Sequence, residues 1–368
     1  MKLTTRLFAA AATAVLSAAA ASAALAAPVT AAQSVALQQG ATADTKTAGF
    51  SIVHSTAGEF VDTFTFTGID RWGMVNASLT TIGMSAAFDI NFVSAVLNGA
   101  TYNFTRSTMG GYRNALEIAA LPDVRLSGPL VLTVRGYAGQ GLTAGTPISA
   151  SYSGTINVTQ VPEPGTLALA ALALLGGGMI VARRRQSLVR GGAAAALLAV
   201  AATGAQAADL NQDVPLAGAG NGLTAAPFAI HTEVGSFVDT FRFSFTGNGW
   251  VDASLITVFS GQSQQISFSE ATLNGQALAI GAPDSDGNGT SWISASLPSK
   301  LLAGDYTLIV KGYAGGNLAP GTSGISASYS GTFNVLPASA VPEPQSYALF
   351  LGGLALMTLM LGKRRQNP

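Results

Sequence analysis

Along much of this chain apolar and polar residues alternate one by one. "FVDTFTF" (Phe60 to Phe66) and "FVDTFRF" (Phe237 to Phe243) set the pattern. Successive side chains of a strand point to opposite faces, so Phe60, Asp62, Phe64 and Phe66 share one face. In "ISASYSGTINV", Ile148, Ala150, Tyr152, Ile156 and Val158 face one way, while Ser149, Ser151, Ser153, Thr155 and Asn157 face the other. Such period-two runs, rich in Thr, Val, Ile and Phe and broken by Gly, read as antiparallel strands. "LNGA" at Leu97 and "LNGQ" at Leu273 read as tight hairpin turns. With roughly six to eight runs in each half, the expected class is all-β. It comprises two small antiparallel β-sandwich domains, jelly-roll or immunoglobulin-like, over residues 47–160 and 208–337.

The halves answer each other. "VNASLTTI" (Val75 to Ile82) matches "VDASLITV" (Val251 to Val258), and "LTVRGYAG" (Leu132 to Gly139) matches "LIVKGYAG" (Leu308 to Gly315). "ISASYSGTINV" at Ile148 matches "ISASYSGTFNV" at Ile325. The offset, 176 from Val75 to Val251 and 177 from Ile148 to Ile325, is far longer than solenoid repeats of roughly 20–50 residues. It reads as a repeated domain.

Four segments depart from alternation. Residues 1–27 carry Lys2 and Arg6, then an Ala/Leu/Val-rich run, then "ASAALAA" with small-residue cut points between Ala23 and Ala27. That order reads as a secretory signal helix. Residues 161–186 and 341–368 each hold Val-Pro-Glu-Pro, an apolar run of bilayer length and a basic cluster, and so read as transmembrane helices with cytoplasmic ends. Residues 187–207 form a second signal-like stretch ending in Ala205-Gln206-Ala207. The whole therefore reads as two precursors placed end to end, with cleavage expected after Ala207 to give two separate domains.

Composition agrees with this layout. Charged residues are 10%, hydrophobic residues 48% and mean hydropathy +0.39, apolar enough to suggest membrane segments. The net charge of zero hides basic clusters at Arg183 to Arg190 and Lys363 to Arg365. Residues 208–336 hold nine acids against three bases, which argues against nucleic acid as a partner. The absence of cysteine excludes disulfides, thiolate metal sites and cysteine nucleophiles.

The tracts at Pro162, Glu163 and Pro164 and at Pro342, Glu343 and Pro344 resemble the PEP-CTERM sorting signal of Gram-negative, exopolysaccharide-producing bacteria. Phe60, Asp62 and Phe64, with Phe237, Asp239 and Phe241, resemble the motif of the FxDxF type of PEP-CTERM protein. The resemblance implies export across the inner membrane and transient anchoring. Signal peptidase and an exosortase-like membrane protease then act as processing partners, and the product resides at the cell surface or in the matrix. It brings no defined activity. The role expected is structural or adhesive, in contact with exopolysaccharide or biofilm. The alternative is a carbohydrate- or calcium-binding recognition module.

Candidate chemistry is sparse. A buried carboxylate needs a partner, so Asp62 and Asp239 are expected to be structural, with the matched Arg135 and Lys311 or Tyr137 and Tyr313 as candidate partners. "DSDGNG" places Asp284, Asp286 and Asn288 at alternate positions ahead of a glycine, as Ca²⁺ loops do. Ala295 stands where the bidentate Glu belongs, so a plain hairpin is expected and no cofactor is assigned. His54 and His231, the only histidines, precede each Phe-x-Asp motif, with no nucleophile elbow or metal-binding pair around them. No enzyme is expected. Trp72, Trp250 and Trp292 are candidate glycan platforms or packing residues.

Overall fold

The computed structural model describes residues 28–161 and 207–338, apart from 41–43, 70, 110, 220–221, 246 and 288, together with 350–355 and 357. The signal helix expected at 1–27, both Pro-Glu-Pro motifs, the apolar run at 165–182 and the signal-like stretch before Ala207 lie outside those residues. Residues 350–355 are helical, with Phe350, Leu351 and Leu354 exposed. Among the described residues no helix is long and apolar enough to cross a membrane.

The alternating runs become strands. The longer strands of the first half are β1 (Val29–Ala36), β2 (Thr45–Thr56), β3 (Gly58–Thr67), β4 (Gly73–Ile82) and β5 (Ile90–Leu97). They continue with β6 (Asn103–Met109), β7 (Tyr112–Leu126), β8 (Leu130–Ala138) and β9 (Pro147–Gln160). Sheet 1 runs β1-β3-β8-β5 and sheet 2 runs β2-β9-β4-β7-β6, with two-residue strands at their edges.

The second half begins with β10 (Asn211–Val214), β11 (Leu223–Ala225), β12 (Phe228–Glu233) and β13 (Gly235–Phe243). Then come β14 (Gly249–Phe259), β15 (Ile266–Leu273), β16 (Ser291–Leu302), β17 (Tyr306–Ala314) and β18 (Ser323–Pro337). Sheet 3 runs β10-β13-β17-β15, and sheet 4 runs β11-β18-β14-β16 with β12 also on β18. The strand orders of the two halves correspond.

Two local readings of the sequence have clear physical outcomes. Asn98 and Gly99, like Asn274 and Gly275, take positive φ, as a tight two-residue hairpin requires. Asn98 also accepts a hydrogen bond from the Val131 N–H at 2.7 Å, and Asn274 one from the Thr307 N–H at 2.8 Å, tying each turn to the next strand. Not every strand is antiparallel, however. β1 joins β3 in parallel, and β10 joins β13 in parallel. Most side chains of β1 are exposed, so main-chain hydrogen bonds hold it rather than core burial.

Sheets 1 and 2 enclose one core, built from Phe60, Phe64, Phe66, Leu132 and Phe92 against Phe50, Leu79, Tyr152 and Ile156. Sheets 3 and 4 enclose another, around Phe237, Phe241, Tyr306, Tyr329 and Phe333. The expectation of separate sandwiches is corrected here. The sheets stack in the order 1, 2, 4, 3, a solenoid-like succession of layers and not two free-standing sandwiches. The reason is the polar face of β9 and β18. In an isolated two-sheet domain such a face meets water, yet Ser149, Ser151, Ser153, Thr155 and Asn157 are all buried. Ser153 Oγ donates to the Gly331 carbonyl at 2.7 Å, Thr80 meets Ser254 at 3.2 Å, and Ser328 Oγ donates to Asn157 Oδ1 at 3.1 Å.

Candidate functional site: two buried aspartates and the sorting segment

In each half one aspartate ends up inside the core. Alternation along β3 turns Phe60, Asp62 and Phe64 inward, and all three are buried; Phe237, Asp239 and Phe241 on β13 are equally buried. Asp62 Oδ2 accepts the Tyr152 hydroxyl at 2.8 Å and contacts His54 Nε2 at 2.9 Å. Asp239 Oδ2 accepts the Tyr329 hydroxyl at 2.5 Å and contacts His231 Nε2 at 3.0 Å. The tyrosines come from β9 and β18, across the core from the aspartates. Burial, then the adjacent carboxylate, holds the phenols of Tyr152 and Tyr329 well above their ordinary pKa.

Aromatic packing closes these clusters. His54 stacks on Phe60 with ring centroids 4.2 Å apart, and His231 stacks on Phe237 at 4.0 Å. Gly136 lies opposite Phe60 on the neighbouring strand, and Gly312 lies opposite Phe237. A Cβ on Gly136 would sit 2.5 Å from the Asn91 carbonyl oxygen and 2.7 Å from the Phe60 ring. The glycine of each "GYAG" block therefore makes room for the ring that covers the histidine.

The partners proposed from sequence are wrong. Register places Val134 opposite Asp62, while Arg135 stands opposite Val61 and Tyr137 opposite Glu59. Arg135 thus projects from the outer face, and Tyr137 is exposed. In the second half Lys311 stands opposite Val238 and pairs with the exposed Glu270 at 2.9 Å. The correct partners carry a signal in the sequence. His54 and His231 each precede their aspartate by 8 residues, and Tyr152 and Tyr329 each follow it by 90.

The calcium-like loop behaves as a hairpin. Asp284 and Ser285 pair with Trp292 and Ser291, Asp284 Oδ1 accepts the Ser285 N–H, and Asp286 Oδ1 accepts the Thr290 N–H. Asn288 lies outside the described residues, and among those described no cluster of three metal-ligating side chains occurs. The tryptophans do not share a face: Arg125 covers Trp72 at 3.6 Å, Trp250 is half-exposed on β14, and Trp292 packs against Ile82, Leu116, Ile118 and Ile256.

A charged cluster that sequence reasoning passed over lies in the first half alone. Glu117 is buried, accepting the Phe92 N–H at 2.9 Å and Arg106 Nε at 3.1 Å. Asp89, also buried, takes a hydrogen bond from Asn91. Burial, and then the Glu117 charge, push the Asp89 carboxyl up to about 7.

The last strand of sheet 2 leads straight into the sorting segment. Gln160 is buried at the end of β9, with its N–H donating to the Asp44 carbonyl, and the Val161 N–H donates to the Trp72 carbonyl at 3.2 Å. Residues 160–185 match the PEP-CTERM protein-sorting motif. That motif implies export, anchoring in the membrane during sorting, and processing there by an exosortase. No curated protein matches the chain. The sorting motif therefore starts within the folded sheet, and Pro162 follows it after a single residue, Val161.

Proposed function

We propose that the chain is an exosortase-sorted protein of a Gram-negative envelope or extracellular matrix. Its role is structural or adhesive, in association with exopolysaccharide or biofilm, and it is not an enzyme. The match at residues 160–185 carries this reading. The apolar run that follows Pro164 and the Arg183-Arg184-Arg185 end support it. We read the halves as a tandem duplication of an FxDxF unit, supported by their corresponding strand orders and by the matched Asp-His-Tyr clusters. Those clusters favour a structural role because each carboxylate is fully buried and stacked aromatic rings close over the histidine.

Fractionation of cells making the full chain tests the reading. Replacing Pro162, Glu163, Pro164, Pro342, Glu343 and Pro344 with alanine should hold the protein in the inner membrane, while the parent reaches the surface or medium. Equal release of both would sink it.

One observation favours a second reading, carbohydrate recognition. A half-open cleft of about 630 Å³ at one end of the first half is lined by Glu59, Tyr137, Gln140 and Leu142. An exposed tyrosine beside a carboxylate and an amide suits a sugar ring and its hydroxyls. Loss of glycan-array binding in Tyr137→Ala would support it.

A further inference from the structure

We propose that the facing surfaces of sheets 2 and 4 form a two-fold pairing surface. Through it the halves remain one non-covalent particle after the segment between them is cut. The contact is reciprocal. Asn157 Nδ2 donates within its own half to Asn76 Oδ1 at 3.0 Å and across to the Val258 carbonyl at 3.3 Å. Asn334, its counterpart, donates within its half to Asp252 Oδ1 at 2.7 Å and across to the Ile82 carbonyl at 2.5 Å. Ile82 and Val258 are themselves counterparts in the repeat. Each half thus presents the same device to the other, which is the signature of an isologous, self-complementary interface.

The chemistry of the face fits pairing better than solvation. β9 and β18 contain no charged residue along their lengths, whereas a sheet face that meets water alone ordinarily carries charges. The carboxylate buried at the contact, Asp252, is held by Asn334, and sparse charge with many direct hydrogen bonds at the centre of a contact is how specific interfaces are built. Apolar contact adds to it, because Ile256 of the second half is buried in one cluster with Ile82, Leu116 and Ile118 of the first. The hydrogen bonds run between side chains and carbonyls of the two folded halves and need no continuity through residues 162–206. Only the occasion for a cut rests on the sorting reading; the pairing does not.

The chain lacks cysteine, which makes a clean test available. Full-length protein is given a site-specific protease sequence between Gln186 and Ser187 and a C-terminal affinity tag, and carries Thr80→Cys with Ser254→Cys, whose hydroxyls are 3.2 Å apart. It is purified reduced in detergent, cut, diluted and then oxidised. The expected result is capture of the first half by the tagged second half, and one disulfide-joined band containing both. A further variant, Asn157→Lys, buries an unpaired charge in the contact and should weaken capture more than about tenfold, with strand content by circular dichroism retained. Recovery of the tagged half alone with no joined band overturns the proposal. So does a joined band of two first halves, which would make like copies the preferred partners. Failure of sorting in cells would leave this result untouched, so the two readings fail separately.

Discussion

The two halves solve the same buried-charge problem with different completeness. In the second half the Leu210 N–H donates to Asp239 Oδ1 at 2.9 Å, so both carboxylate oxygens are occupied. In the first, Asp62 Oδ1 is buried with no hydrogen-bond partner among the described residues. The cause lies in the neighbouring strand. β1 is in ladder with β3 from Val29 to Ala36, so Ala31 stands in register with Asp62. β10 begins only at Asn211, and the residue before it is free to turn its N–H onto the carboxylate. Histidine and tyrosine are thus the constant partners of the motif, and the third depends on how the preceding chain arrives. The halves also differ at Glu117. Thr81 pairs with Glu117, while its counterpart Thr257 pairs with the apolar Ile293.

The largest expected effect comes from removing the aspartates. Asp239→Ala strands His231, Tyr329 and the Leu210 N–H, and should cost about 3–5 kcal/mol. Asp62→Ala strands one partner fewer and should cost about 1–2 kcal/mol less. Urea unfolding of the full chain, read half by half through hydrogen exchange, measures both. A larger loss for Asp62→Ala would break the comparison.

Gly136→Ala and Gly312→Ala should each cost about 1–3 kcal/mol, and by similar amounts, because both new methyl groups meet a phenylalanine ring and a carbonyl oxygen. Unequal melting shifts would show that the rings are not equally fixed. Tyr152→Phe and Tyr329→Phe each remove one hydrogen bond to a carboxylate and should lose about 1.5–3 kcal/mol without changing strand content by circular dichroism.

The next comparison is with pH. Asp89 is raised to about 7 in the folded chain, so its stabilising contribution is complete below its unfolded value and is lost as pH rises through about 7. Asp252, raised to about 7 by burial, behaves alike at the contact between halves. Protection in β5 and β7 should therefore fall between about pH 4 and 7, level off above that, and lose this pH dependence in Asp89→Asn. Asp252→Asn should flatten only the strands at the contact. A pH response unchanged by either variant would remove both groups from the account.

Much of the architecture was legible because a strand's period of two is unambiguous. The shared inward face of Phe60, Asp62 and Phe64 and the turns at Asn98 and Asn274 follow from local rules. The stacking of the halves was not legible, since a Ser/Thr face reads the same whether it meets water or another sheet. The partners of the aspartates were missed for a related reason. Arg135 and Tyr137 recur at matching positions in the two halves, but register sends them outward, while Tyr152, which recurs as well, lies across the core. The repeated 8- and 90-residue spacings held that information, and only comparison of the two halves brings it out.

Ala207 is 1% exposed and packs in the core of the second half, while Asp209 Oδ1 accepts the Val238 N–H and Leu210 is bound to Asp239. A peptidase needs an accessible, extended chain across the bond it cuts. The cleavage after Ala207 expected from the sequence would therefore have a deadline: it would have to come while the second half is still unfolded. Folding would act as the clock on that expected cut, and the race between the two rates would decide whether one polypeptide or two result.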